Sequence, residues 1–216
     1  MISRCRFVLC LGYKSETVVD FFRQQPGEIQ QVASQPELPS IHKFTGLINN
    51  VHCVVTMADT GLDAMTGARL RKGASLIGQE TFMLSYGDGL SDVNLNKLMK
   101  HHEVNKRILT VTGVRPPSRF GELQVDDQNN VTGFNEKPQA SGGRISGGFF
   151  VCEPKVFDYL ENREDLVFEK EPIQSIVHEH KMTMYPHDEF WQCMDTYRDW
   201  ELLNQMYKTG KAPWVR

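Results

Sequence analysis

The sequence predicts an α/β fold, a mostly parallel sheet with helices on both faces. Two observations carry that prediction. Short apolar runs alternate with longer helix-periodic stretches, the pattern of strands joined by helical crossovers. The composition is that of a globular interior, with 40% hydrophobic and 24% charged residues among 216. That length supports one sizeable core, and the chain reads as one domain spanning 1–216.

Taken in order, Phe7 to Leu11 is an apolar run that Gly12 ends, read as a buried strand. Two arginines precede it, but the apolar part is too short for a secretion signal. Ser15 to Gln24 follows as a helix whose apolar face is Val18, Val19, Phe21 and Phe22, with Ser15 placed to cap the first turn. From Pro26 to Gly46 three prolines interrupt any period, so this stretch reads as an extended surface loop, with an oligomer contact or a lid as the alternatives. Val51 to Met57, Phe82 to Tyr86 and Ile108 to Val114 are further strands, and Asp92 to Asn105 is a helix. The second half is more mixed. Strands are expected at Leu123 to Val125, Val131 to Glu136 and Gly147 to Cys152, and helices at Lys155 to Glu161, Glu171 to Glu179 and Thr196 to Thr209. Pro172 fits the first turn of the second of these helices.

Charge and cysteine usage narrow the function classes. A formal net charge of −3 with no Lys/Arg stripe argues against a nucleic-acid backbone or an anionic membrane as partner, while a free nucleotide needs only a few placed cations. Five cysteines without a Cys-x-x-Cys pair cannot form a closed intrachain disulfide set, which suits reduced thiols in the cytoplasm. His101, His102, His178, His180 and His187 lack a zinc-ligand pattern and read as surface or helix histidines. No segment approaches the apolar length of a membrane span.

The chemistry-bearing residues fall in five places. Tyr86-Gly87-Asp88-Gly89 ends an apolar strand at the edge where open α/β sheets bind ligands, and its carboxylate suits a hard cation such as Mg²⁺. A Gly-Asp-Gly turn that satisfies its own backbone is the alternative. Asp195, in Met194-Asp195-Thr196, is the second carboxylate candidate, and equally the N-cap of the helix that follows. Lys137 of Glu136-Lys137-Pro138 is kept extended by the proline; there it can neutralise a sugar phosphate while Glu136 accepts from sugar hydroxyls, or the two form an exposed charge pair. Gly147 and Gly148 let a sugar approach backbone, or mark a bulge. Thr66, Gly67 and Arg69 place a hydroxyl, a glycine and a cation at a helix start, suited to ribose or phosphate or to a solvated first turn.

In sequence order, Leu11-Gly12-Tyr13-Lys14, Asp59-Thr60-Gly61, Met65 to Leu70, Tyr86 to Gly89, Arg119-Phe120-Gly121, Glu136-Lys137-Pro138, Ser146 to Phe150, Phe190-Trp191, Met194-Asp195-Thr196 and Lys211-Ala212-Pro213-Trp214 resemble the glucose-1-phosphate cytidylyltransferases over nearly the whole chain. The resemblance implies a nucleotide-binding, Rossmann-like fold. It also implies the reaction of CTP with glucose 1-phosphate to give CDP-glucose and pyrophosphate. By that likeness Asp88 and Asp195 hold Mg²⁺ and Lys137 with Glu136 contacts the glucose phosphate. Thr66, Gly67, Arg69, Tyr86, Gly87, Gly147, Gly148 and Trp191 complete the substrate contacts, although Ser146 stands where the family often has Asn. A homo-oligomer is implied too.

The family's opening strand, its Gly-Gly-x-Gly-Thr-Arg loop and its Lys-Pro-x-x-Met segment have no match, so the resemblance begins at the family's second strand and the sheet is expected to be incomplete at its N-terminal side. Two readings follow from this. One is a cytidylyltransferase whose triphosphate is held weakly by the remaining groups; the other is a non-catalytic remnant that binds sugar phosphate or assembles with full-length subunits.

Overall fold

A computed structural model describes residues 5–116, 122–135 and 143–215 of the chain. The expected Glu136 and Lys137, and the Arg119-Phe120-Gly121 segment, lie outside the described residues. The α/β architecture is the one the sequence predicts, divided between two compact units: Met1–Glu80 with Pro154–His180, and Thr81–Glu153 with Lys181–Arg216.

In the first unit strands β1 (Cys5–Leu11), β2 (Gly27–Val32), β3 (Ile41–Ile48) and β4 (Val51–Asp59) form a sheet in the order β1-β4-β3-β2. Helices α1 (Ser15–Arg23) and α2 (Thr66–Ile77) serve its two faces. Strand alternation explains the division. Cys53, Val55 and Met57 of β4 join Phe44 of β3 and Val19 of α1 in one buried cluster, whereas Ala58 and Ile41 point the other way and meet Leu38 and Leu76. Phe22 of α1 lies 5.4 Å from the ring of Phe44. Helix α4 (Glu171–His178), with Pro172 in its first turn as expected, belongs to this unit, and Pro154–Tyr159, expected as an α-helix, forms a 3-10 turn.

The second unit has β5 (Phe82–Ser85), β7 (Leu109–Val114), β10 (Ile145–Cys152) and β11 (Met182–His187) in the order β11-β7-β10-β5. Every residue of β7 is buried, so this strand is the unit's centre. Helix α3 (Leu95–Asn105) buries Leu98 and His102, and helix α5 (Tyr197–Lys208) buries Leu203. A short pair joins β6 (Gly89–Ser91) to β12 (Trp191–Cys193), and a hairpin joins β8 (Glu122–Val125) to β9 (Val131–Asn135).

The pairing is more mixed than strand–helix alternation suggests. β1 with β4 and β7 with β11 are parallel; β2 with β3, β3 with β4, β10 with β7 and β10 with β5 are antiparallel. Two insertions account for this. The stretch read as a loop from Pro26 to Gly46 contains β2 and most of β3, whose exposed, Gln-rich edge strand has no readable apolar alternation. β10 arrives from the β8–β9 hairpin and not from a helical crossover, so it enters antiparallel.

Three local readings are corrected. Ser15 does not cap α1; the N-cap is Lys14 in left-handed geometry (φ 55°), with no side-chain cap bond. β1 is half-exposed along its length because it stands at the sheet edge with only β4 beside it. His187 is neither a surface nor a helix histidine but is buried at the end of β11, while His102 lies on a helix as read and is buried there with polar partners.

Phe44 has no exposed surface. Phe44→Ala is expected to lower stability by about 3–5 kcal/mol in urea unfolding; a loss below about 1 kcal/mol would mean that α1 does not depend on this packing.

Candidate active site

The second unit assembles most of the expected site. β5 ends at Ser85 and β6 begins at Gly89, so Tyr86, Gly87 and Asp88 form the turn between them. β12 runs antiparallel beside β6, pairing Cys193 with Gly89. One further bond continues this ladder: Met194 N–H donates to the Asp88 carbonyl at 2.8 Å. Asp88 and Asp195, remote in sequence, therefore sit on neighbouring backbone segments at one end of a two-stranded ladder. Two carboxylates so placed are a donor set that suits a hard divalent cation.

Asp195 is not the cap of α5. Thr196 takes that role: its hydroxyl accepts from Asp199 N–H, while the Asp199 carboxylate accepts from the Thr196 N–H and hydroxyl, a capping box. Gln192 Nε2 donates to the other Asp199 oxygen at 3.0 Å. The Cys193 thiol donates to Asp195 Oδ2 at 3.1 Å, and burial together with that carboxylate pushes the thiol up to about 11. Asp195 is thus left with its carboxylate outside the helix, fixed by its neighbours. The Thr-x-x-Asp spacing at 196–199 is the sequence signal of this arrangement.

Gly147 and Gly148 form a bulge, where the β10–β7 register shifts between Ser146 and Phe150. Gly148 has φ +75°, and a Cβ there would come within 3.0 Å of the Tyr86 ring. A Cβ on Gly147 would meet Val114 at 2.7 Å. Both glycines are therefore needed by the fold. Gly87 differs: a Cβ there would meet no atom within 4 Å, so open space lies beside Asp88. Trp191 reaches the bulge through an indole N–H donated to the Gly147 carbonyl at 2.8 Å. Tyr86 packs edge-on against Phe150, its hydroxyl buried without a hydrogen-bond partner among the described residues.

Thr66, Gly67 and Arg69 belong to the first unit, at the start of α2. Gly67 and Ala68 N–H groups both donate to the Leu166 carbonyl, and Thr66 Oγ1 accepts from Phe168 N–H while donating to Glu169. The helix start is capped by protein. Arg69 packs over Gly12 and donates to the carbonyls of Leu11 and Leu62 and to Thr60 Oγ1, so its guanidinium braces the ends of β1 and β4.

Asp92, His187 and Glu189 place three donor atoms within 4.8 Å of one another. His187 Nε2 lies 3.1 Å from Asp92 Oδ1, 3.1 Å from the Phe190 carbonyl and 3.2 Å from Ser91 Oγ. With three oxygens already around Nε2, the group reads as a structural tie between β6, β11 and the segment before β12. Arg144 completes the surroundings, donating to the Gly113 and His187 carbonyls and, through two bonds, to Asp188. That pairing, aided by Arg115, holds the Asp188 carboxyl below the ordinary carboxylate range.

Residues 16–205 match the family model described as nucleotidyl transferase. The chain is 36% identical over 220 residues to a probable glucose-1-phosphate cytidylyltransferase of Bacillus subtilis, covering 96% of this chain and 80% of that protein. It is 34% identical over 212 residues to the glucose-1-phosphate cytidylyltransferase of Salmonella typhi, with the same coverage. The crystal structure of HddC from Yersinia pseudotuberculosis superposes with a TM-score of 0.62 over 94% of this chain and 78% of that one, at 16% identity, a likeness of fold.

Because its folded-state value is depressed, Asp188 contributes stability above the ordinary carboxylate pKa and loses it as pH falls through the lower folded value. In thermal melts from pH 6 down to about pH 2, Asp188→Asn should flatten part of the acid-side loss. An unchanged acid limb would remove the Arg144 pairing from the causes of acid sensitivity.

Proposed function

Since the chain belongs to the nucleotidyl transferase family, we propose that it forms CDP-glucose and pyrophosphate from CTP and glucose 1-phosphate. The observation that carries this is the meeting of Asp88 and Asp195 through the Met194–Asp88 bond, beside a glycine bulge and an open Gly87. Two relatives that carry the cytidylyltransferase name at 34–36% identity support the choice of substrates. The chain is read as one sugar-nucleotidyltransferase domain in the cytoplasm, acting as a homo-oligomer in making nucleotide sugars for cell-surface polysaccharide such as O antigen. Among the described residues no helix is long and apolar enough to cross a membrane.

In this reading a phosphate oxygen of glucose 1-phosphate attacks the α-phosphorus of CTP in line. The new P–O bond forms as the α–β bridge breaks, and pyrophosphate leaves with its electron pair. Asp88 and Asp195 are the carboxylates that would hold Mg²⁺, which when bound supplies positive charge against the triphosphate. Lys137 neutralises the incoming sugar phosphate and Glu136 accepts from sugar hydroxyls. The bare backbone of Gly87 lets phosphate approach, Gly147 and Gly148 receive the sugar, and Tyr86 and Trp191 wall that turn. Thr66, Gly67 and Arg69 serve the nucleotide side indirectly, since their own polar groups are engaged: Arg69 holds the ends of β1 and β4, and Thr66 and Gly67 hold the 166–169 segment.

Calorimetry tests the metal pair. Asp88→Asn and Asp195→Asn are each expected to weaken Mg²⁺-dependent CTP binding about tenfold or more, roughly 1.4 kcal/mol. If neither does, the pair is not the metal site. Gly87→Ala separates ligand approach from folding, because the fold leaves room for its methyl: melting should be unaltered while substrate affinity falls, and unaltered affinity would sink the open-backbone role.

Lys137→Ala should raise the KM for glucose 1-phosphate more than that for CTP. Equal effects on the two substrates would take Lys137 off the sugar phosphate.

A further inference from the structure

Trp191 stands on β12 opposite Ser91 of β6, and its indole N–H donates to the Gly147 carbonyl at 2.8 Å. Gly147 opens the stretch where the β10–β7 ladder slips, between Ser146 and Phe150. Residues in a bulge lose their ladder partners, so their placement depends on what replaces those bonds. The neighbouring Gly148 N–H makes a long contact to Ser146 Oγ, 3.4 Å, which is a weak hydrogen bond. Its left-handed φ of +75° is set by backbone alone, with the Tyr86 ring beneath it. The indole bond is a short polar contact at the bulge, and it comes from the same ladder that carries Asp88. The space beside Gly89 is bounded by the Gly147 carbonyl at 3.8 Å and by Trp191 Nε1 at 3.9 Å.

We propose that Trp191 is a positioning residue: its indole N–H pins the Gly147 carbonyl, sets the Gly147–Gly148 bulge at a fixed distance from Asp88, and need not touch the sugar. The β6–β12 ladder then holds both halves of the site, the carboxylates through Met194 N–H and the glycine turn through Trp191. The identity of the molecule that uses the turn rests on the glucose 1-phosphate reading, but the brace itself does not.

The test uses Trp191→Phe, which keeps an aromatic ring and deletes the donor. Amide hydrogen exchange at Gly147, Gly148 and Phe149 is measured without substrate, and glucose 1-phosphate and CTP affinities are measured by calorimetry. Exchange across the bulge should quicken about tenfold, and glucose 1-phosphate affinity should fall about five- to tenfold with CTP affinity kept within twofold. Unchanged exchange overturns the proposal. Lost sugar-phosphate affinity with unchanged exchange overturns it too, by making Trp191 a direct contact. Quickened exchange in a protein whose wild-type form does not bind glucose 1-phosphate leaves the brace standing and removes the substrate reading. If Trp191→Phe melts too low to measure, benzothienylalanine at position 191 keeps the bicyclic shape without the N–H and decides the same question by the same exchange rates.

Discussion

The bond from Met194 N–H to the Asp88 carbonyl is the constraint on which the second unit's candidate site rests. It extends a three-residue ladder by one rung, and a ladder that short has few bonds of its own. What makes it firm is the packing around it: Ser91 donates to the Phe190 carbonyl, Trp191 to Gly147, Gln192 to the capping carboxylate of Asp199, and Phe190 stacks on Trp214. Each of these bonds starts from β6, β12 or the residue beside them. A backbone contact joins the two segments that carry Asp88 and Asp195, and the Asp195 carboxylate accepts from the Cys193 thiol.

Polar groups inside the second unit follow the same economy. His102, 2% exposed, has Thr110 Oγ1 at 2.7 Å from Nδ1 and Glu153 Oε1 at 2.9 Å from Nε2, and Thr81 donates to the same Glu153 oxygen. A helix, the central strand and the segments flanking the unit's chain crossings are tied by one imidazole. Arg144 does the equivalent at the other end of β7, where three strands finish together and would leave the Gly113 and His187 carbonyls unbonded by side chains. These buried polar groups are tolerated because each finds partners, whereas the buried hydroxyls of Tyr86 and Thr112 in the same unit have none among the described residues.

Much of this was legible in the sequence. Strand–helix alternation predicted the class, and Tyr86-Gly87-Asp88-Gly89 and Met194-Asp195-Thr196 marked two segments that the β6–β12 ladder brings side by side. The unread parts have physical reasons. β2 is an edge strand of Gly-Glu-Ile-Gln-Gln-Val, so its stability comes from pairing with β3 and not from an apolar face. β6 and β12 are three residues each, too short to show a period. Arg69 looked like a ligand cation, yet its partners Leu11, Thr60 and Leu62 are backbone and hydroxyl oxygens whose convergence only tertiary structure reveals. Asp195 had two readings of equal standing until the hydroxyl of Thr196 proved to be the cap.

The capping of α2 by Leu166 has a consequence in time. The first turn of that helix receives its carbonyl acceptor, and Thr66 its carboxylate partner, from residues about a hundred positions later; the Thr66–Glu169 bond spans 103. At a synthesis rate of roughly 5–20 residues per second, a nascent chain exposes an uncapped α2 for on the order of 5–20 s before Leu166 leaves the ribosome. The first unit cannot close its ring of contacts during that interval, and the second unit's Thr81–Glu153 stretch is made within it. Vectorial synthesis therefore obliges the two units to mature interleaved, with the earlier one finishing only after most of the later one has been translated.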